Sequence, residues 1–219
     1  MNPYRNKRSD LVILLVLGVM AVIGIYVIYN ELTAPRSTVD SEALDFYPDP
    51  LQTSADSVVL PPMQRGKVKF LFTPKASYSI TATLVSKRSY FGGPMNWLSP
   101  MDYALVWGSV NHLLDKIKFR QVVRFCLYRT KEALDPAYIN RHVSNNHLIP
   151  STPNLRKALR KARKGNVVKL DGYLVYVTAL REGQVMTNWN SSLTRTDDGN
   201  GACEIIYLTR LQIGDKVYE

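Results

Sequence analysis

The most polar block in the chain is residues 189–201, WNSSLTRTDDGNG. Ser, Thr, Asp, Asn and Gly bond to nearby backbone groups and tolerate left-handed turns, so the block reads as an ordered loop between strands. Arg195 has a second reading. Steadied by Asp197 or Asp198, its guanidinium can offer a bidentate fork to a carboxylate or phosphate. Hydrolytic chemistry needs a nucleophile, a base and an orienting group in contact. Ser191 or Ser192, His147 and Asp197 are of the right types, but no G-x-S-x-G elbow accompanies them. His112, His142 and His147 lack the H-E-x-x-H spacing of a zinc helix, and His147, within NNHLIP, reads as a loop residue bonded to backbone or a neighbouring Asn. No metal and no cofactor is expected.

Arg156, Lys157, Arg160, Lys161, Arg163 and Lys164 lie off an apolar stripe formed by Leu155, Ala158, Leu159 and Ala162. These cations are either a solvated face or a surface for phosphates, with Arg156, Arg160 and Arg163 as ligand-binding candidates. Cys126 and Cys203 can pair only if their Cα atoms lie within about 7 Å; two separate thiols are the equal alternative. Trp97, Trp107 and Trp189 sit among apolar residues or turn formers, which suits packing better than base stacking.

The elements that must position these groups follow from periodicity. Residues 68–73 and 78–86 read as two strands with a turn at Pro74. Ser99-Pro100-Met101-Asp102 has the form of a helix start, with a helix running to about Leu114. Residues 119–129 read as one strand with Lys118, Arg120 and Arg124 on a wet face. Thr152-Pro153 opens a second helix, to about Lys164 before Gly165. Residues 166–178 and 202–209 are rich in Val, Leu, Ile and Tyr and suit strands, and Gly172 marks a place where a barrel can bend. The expected fold class is α+β: one small domain with a partly open, OB-like β-barrel or an antiparallel sheet, and two to three helices.

Residues 11–30 run LVILLVLGVMAVIGIYVIYN without a charge, about 30 Å as a helix and the thickness of a hydrocarbon core. The run is longer than a signal-peptide core and ends in Tyr, Val, Ile, Tyr and Asn, so an uncleaved anchor is expected. Arg5, Lys7 and Arg8 precede it and only Arg36 follows within twenty residues, which puts residues 1–10 in the cytoplasm and the rest across the membrane. Residues 31–66 hold six acids, two cations and five prolines and read as a tether, with the domain at 67–219. The whole chain carries a net charge of +10. Two cysteines exclude a disulfide-rich scaffold and a cysteine-based zinc site.

Four blocks, LSPMDYALVWG, SNNHLIP, GNVVKLDGYLV and WNSSLTRTDDGNGACE, resemble blocks found in the same order in a group of proteobacterial membrane-anchored or exported proteins. The resemblance implies a single anchored domain and transfers no catalytic residue. The expected function is a single-pass inner-membrane protein whose basic periplasmic domain is a non-enzymatic binding or scaffolding module. Its expected partners are anionic lipid headgroups or an acidic envelope protein, with nucleic acid a poor partner beside a bilayer. The alternative is a membrane-anchored hydrolase with its site near His147 and the 189–201 loop.

Overall fold

The structure, a computed structural model, describes residues 7–194 and 202–219. The chain divides into two compact units, one ending at Pro35 and the other running from Arg36 to Glu219. The first contains helix α1 (Lys7–Thr33). Its span Leu11–Thr33 is long and apolar enough to cross a membrane. A helix is the form in which such a segment can leave water, because its peptide groups bond within the segment.

The second unit is a mostly β domain, α+β in class. Its elements run β1 (Leu51–Thr53), β2 (Met63–Arg65), β3 (Val68–Ser89), α2 (Gly93–Leu98), β4 (Met101–Val106), β5 (Ile117–Val122), β6 (Phe125–Thr130), α3 (Pro136–Arg141), β7 (Val143–Pro150), α4 (Pro153–Ala158), β8 (Val167–Arg181), β9 (Gln184–Asn190), β10 (Glu204–Ile213) and β11 (Lys216–Tyr218). β3 pairs with both β4 and β8, so the path β3–β4–β7–β10–β8 returns to β3 and the sheet curls into a barrel. All these pairings are antiparallel except β7 with β10. β5 and β6 form a separate hairpin.

Alternation decides what goes inside. Tyr78, Ile80, Leu84, Tyr103, Leu105, Leu148, Leu170, Ile206 and Leu208 fill the barrel, and Leu155 and Leu159 close over it. The other face of β4 presents Ala104 and Val106, which pack with Ile117 and Ile139 beneath the β5–β6 hairpin. β4 is therefore buried on both faces, which erases the period-2 signal and explains why its sequence reads as a helix. The expected helix from Ser99 is this strand followed by a 3₁₀ helix at Gly108–Leu113.

Three other expectations change. The two strands expected around Pro74 are one 22-residue strand, with a register shift between Pro74 and Ala76 that accommodates the residue lacking an N–H. The helix expected to reach Lys164 stops at Ala158, capped at Thr152. The segment read as a free tether packs on the domain from Arg36 onward. Thr38 bridges Val217, Glu42 meets Lys169 at 2.8 Å and Arg210 at 3.0 Å, and Asp49 accepts the Trp107 indole N–H at 2.9 Å. The acids that made the segment look solvated are partners for the domain's cations.

Gly172 lies where β8 passes closest to β10, and a Cβ there would stand 2.1 Å from the carbonyl oxygen of Tyr207. That neighbour is backbone and cannot rotate away. Gly172→Ala is expected to lower the stability of the full chain in detergent by about 3 kcal/mol, the upper part of the usual overpacking cost. Denaturant unfolding followed by tryptophan emission measures it; an unchanged midpoint would mean the two strands are not in this contact.

Candidate functional site

The strand register places Asp102 of β4 directly opposite His147 of β7 on the outer face of the barrel. His147 Nδ1 lies 2.9 Å from Asp102 Oδ1, but off the line of a hydrogen bond. The expected loop around His147 is thus a central strand. The Asp102 side chain is fully buried, His147 is 3% exposed, and Trp189 of β9 lies across the imidazole at 4.6 Å between ring centroids.

A third side chain completes this cluster from the turn of the β5–β6 hairpin. Arg124 donates to Asp102 Oδ1 at 2.9 Å, to Asn96 Oδ1 at 2.8 Å and to the Ser99 carbonyl at 3.0 Å. Its guanidinium lies 4.0 Å from the centroid of Tyr90 and 5.3 Å from that of Trp189. The Tyr90 phenol is held well above its ordinary range, first by burial and then by the charge of Asp102. The turn is fixed further by Asn145, which donates to the Arg124 carbonyl at 2.8 Å and accepts from Gln121 at 2.7 Å. Residues 119–129 are therefore a hairpin rather than one strand, and Arg124 turns inward instead of facing water. Val123, the residue before it, takes φ 54°, a costly conformation for a β-branched side chain that the surrounding bonds must offset.

The serines of the polar block do other work. Ser191 accepts the N–H of Ile205 and donates to the Ser192 carbonyl, where β9 and β10 part along β8. Ser192 Oγ donates to the Thr194 carbonyl at 3.0 Å and accepts the Thr194 N–H at 3.1 Å. Among the described residues no hydroxyl is bonded to His147. Arg195, Asp197 and Asp198 lie outside the described residues. His112 meets the Tyr47 hydroxyl and His142 the Tyr138 carbonyl, each at 2.8 Å, so the three histidines do not converge. Cys126 and Cys203 are not joined in a disulfide. The Cys126 thiol is pushed up to about 12 by burial, with Cys203 adding a smaller push.

The large concavity of the domain lies elsewhere. It is a groove of about 970 Å³ between the β2–β3 turn, the 89–101 connection and α4. Arg65, Lys67, Arg156, Arg160 and Arg181 line it together with Phe91 and Trp97, against one carboxylate, Glu182. Comparison with protein-family models, curated proteins and solved structures finds no match. Two of the expected cations, Arg156 and Arg160, reach this groove, whereas Arg163 does not line it. Arg65 and Arg181 join from strands far off in sequence, which no local pattern announces. The readable signal was the connection itself, where Gly92 and Gly93 both take positive φ beside Pro94 and the exposed Phe91.

Removing Arg124 leaves Asp102 as an uncompensated buried charge. Arg124→Met is expected to destabilise the full chain by about 3–5 kcal/mol, and adding Asp102→Asn in the same chain should recover a part of it. Denaturant midpoints of the two variants test this; equal losses in both would show that the ion pair is not what the hairpin turns on. The folded Cys126 keeps a proton that the unfolded chain loses near its ordinary value of 9.0. Its contribution to stability is therefore present below pH 9 and falls away as pH rises from 9 toward 12. At pH 8 it should resist iodoacetamide in the native chain and react in urea, as mass spectrometry of the alkylated peptide will report; equal rates would contradict the burial.

Proposed function

We propose that the chain is a single-pass inner-membrane protein that carries a non-enzymatic binding module on the periplasmic side, with the basic groove as its binding surface. One observation carries this reading: the groove gathers Arg65, Arg156, Arg160 and Arg181, and among the described residues none of these guanidiniums has a carboxylate within ion-pair distance. Lys67 and Glu182 satisfy each other at 2.9 Å. Cations brought together without counter-charges repel one another, and a bound anion relieves that repulsion.

The architecture supports the same reading. Numbered along the barrel, the strands close in the order first, second, third, fifth, fourth, with one parallel pairing and a helix between third and fourth. That order is OB-like, and the loop between the first two strands is a usual place for ligands in such barrels. Here it is the 89–101 connection, one wall of the groove. The outer face of the second and third strands, the other usual site, lies under the β5–β6 hairpin. This support is by analogy of fold. The hydrolase reading loses ground because His147 is buried against Trp189, and neither it nor Ser192 lines the groove. Orientation rests on Arg5, Lys7 and Arg8 before the span.

Two measurements test the reading. A C-terminal alkaline phosphatase fusion is expected to be active, and a C-terminal fluorescent protein that matures only in the cytoplasm is expected to stay dark; the reverse pattern sinks the orientation. The full chain in detergent should not be labelled by a serine-reactive fluorophosphonate. Labelling at Ser192 that disappears in His147→Ala would replace the binding module with the hydrolase.

A further inference from the structure

The groove is built for more than general attraction. Two guanidiniums lie near the Trp97 ring, Arg65 at 5.7 Å and Arg156 at 4.9 Å from its centroid, while Phe70 stacks on the same indole. Arg156 also donates to the Trp97 carbonyl at 2.6 Å. A guanidinium held beside a ring and bonded to a carbonyl loses rotational freedom while keeping further N–H donors, and a planar fork of such donors is what meets a tetrahedral oxyanion bidentately. The charge of Arg156 is disfavoured first by burial and then by repulsion from Arg160 and Arg65, so the cluster is poised to gain from an anion of more than one charge. A phosphate monoester supplies between one and a half and two negative charges and three acceptor oxygens, by rough count; a lone carboxylate supplies one charge and two.

Size and lining add a second requirement. A volume of about 970 Å³ exceeds what inorganic phosphate fills and suits a ligand of small-organic size. Besides the cations the lining includes apolar side chains: Phe91, 85% exposed, with Pro94, Pro100 and Met101. With Trp97 engaged by guanidiniums, Phe91 is the ring left for an apolar body to rest on. This pattern suits one phosphate with an attached apolar body better than a run of stacked bases.

Resting on the binding-module reading, we propose that the groove is a binding site for a phosphate monoester with an apolar moiety, its phosphate held by Arg65, Arg156 and Arg160 and its apolar part by Phe91 and Pro94. A phospholipid headgroup and a soluble phosphate ester share this chemistry.

The test uses the full chain in phosphatidylcholine nanodiscs, titrated with dihexanoylphosphatidic acid and followed by calorimetry and tryptophan emission. Binding is expected to saturate at one ligand per chain, with glycerol 3-phosphate at least tenfold weaker and dihexanoylphosphatidylcholine inert. The double variant Arg65→Gln, Arg160→Gln, at two exposed positions, should weaken binding by more than tenfold with an unchanged melting midpoint. Arg163→Gln, which removes one charge outside the groove, should leave it within twofold. Long-chain phosphatidic acid placed in the nanodisc separates the two sources: competition with the soluble ester marks a lipid headgroup, and unimpeded binding marks a free one. Polyglutamate binding as tightly as the ester, or an oligonucleotide whose affinity grows with length, would overturn the phosphate monoester while leaving a groove-dependent binding module. Absence of any groove-dependent binding would overturn both. Fluorophosphonate labelling of Ser192 together with ester binding would overturn only the non-enzymatic reading.

Discussion

The outer half of the domain turns on a buried carboxylate of β4. Asp102 has no access to water, and a charge in that position costs several kcal/mol unless it is met by opposite charge. Arg124 meets it from the hairpin and His147 lies beside it on the next strand. Because Arg124 sits in the turn, satisfying Asp102 also determines where the hairpin lies, and the hairpin covers Ala104 and Val106. Burial of those side chains in turn removes water from the ion pair. Charge and apolar burial here reinforce each other, and neither is stable in its present form alone.

The same arrangement separates the domain's two concentrations of polar chemistry. The Asp102–His147–Arg124 cluster is internally matched and screened by Tyr90 and Trp189. The groove pairs Lys67 with Glu182 but, among the described residues, leaves its four guanidiniums without a carboxylate. Asn96 and Trp97, adjacent in α2, link them: Asn96 bonds to Arg124 while Trp97 carries Arg65 and Arg156. Rigidity on one side of this short helix thus holds the geometry of the other.

What the sequence disclosed follows the reach of its signals. The apolar run of α1 and the Val- and Ile-rich β8 and β10 are local facts, and composition alone marks them. Gly172 was legible as a special position, because a glycine inside an apolar strand marks a bend or a close backbone approach, and the fold shows the close approach to Tyr207. β4 was misread because both its faces are buried, and β7 because Asn145, Asn146 and His147 are loop-forming types that here find partners in neighbouring elements. Arg156 and Arg160 were visible as a cluster, but their meeting with Arg65 and Arg181 depends on β2, β3 and β8 converging. The acids of residues 36–66 were visible too, yet only the fold supplies Lys169 and Arg210 to receive Glu42.

Closing the barrel sets an order of events as the chain is made. β3 emerges early, yet its partner along nearly its whole length is β8, whose residues lie roughly a hundred positions later; Val68 pairs with Arg181 and Thr83 with Val167. Loops of that span close slowly, and the ladder cannot form until most of the domain has been synthesised. During that interval a long strand rich in apolar residues stands with the edge that β8 will take unpaired, the form of backbone that most readily recruits other strands. The lysines and arginine spaced along β3, Lys69, Lys75, Lys87 and Arg88, put like charges on every such strand, so that two nascent copies repel where their backbones would otherwise pair.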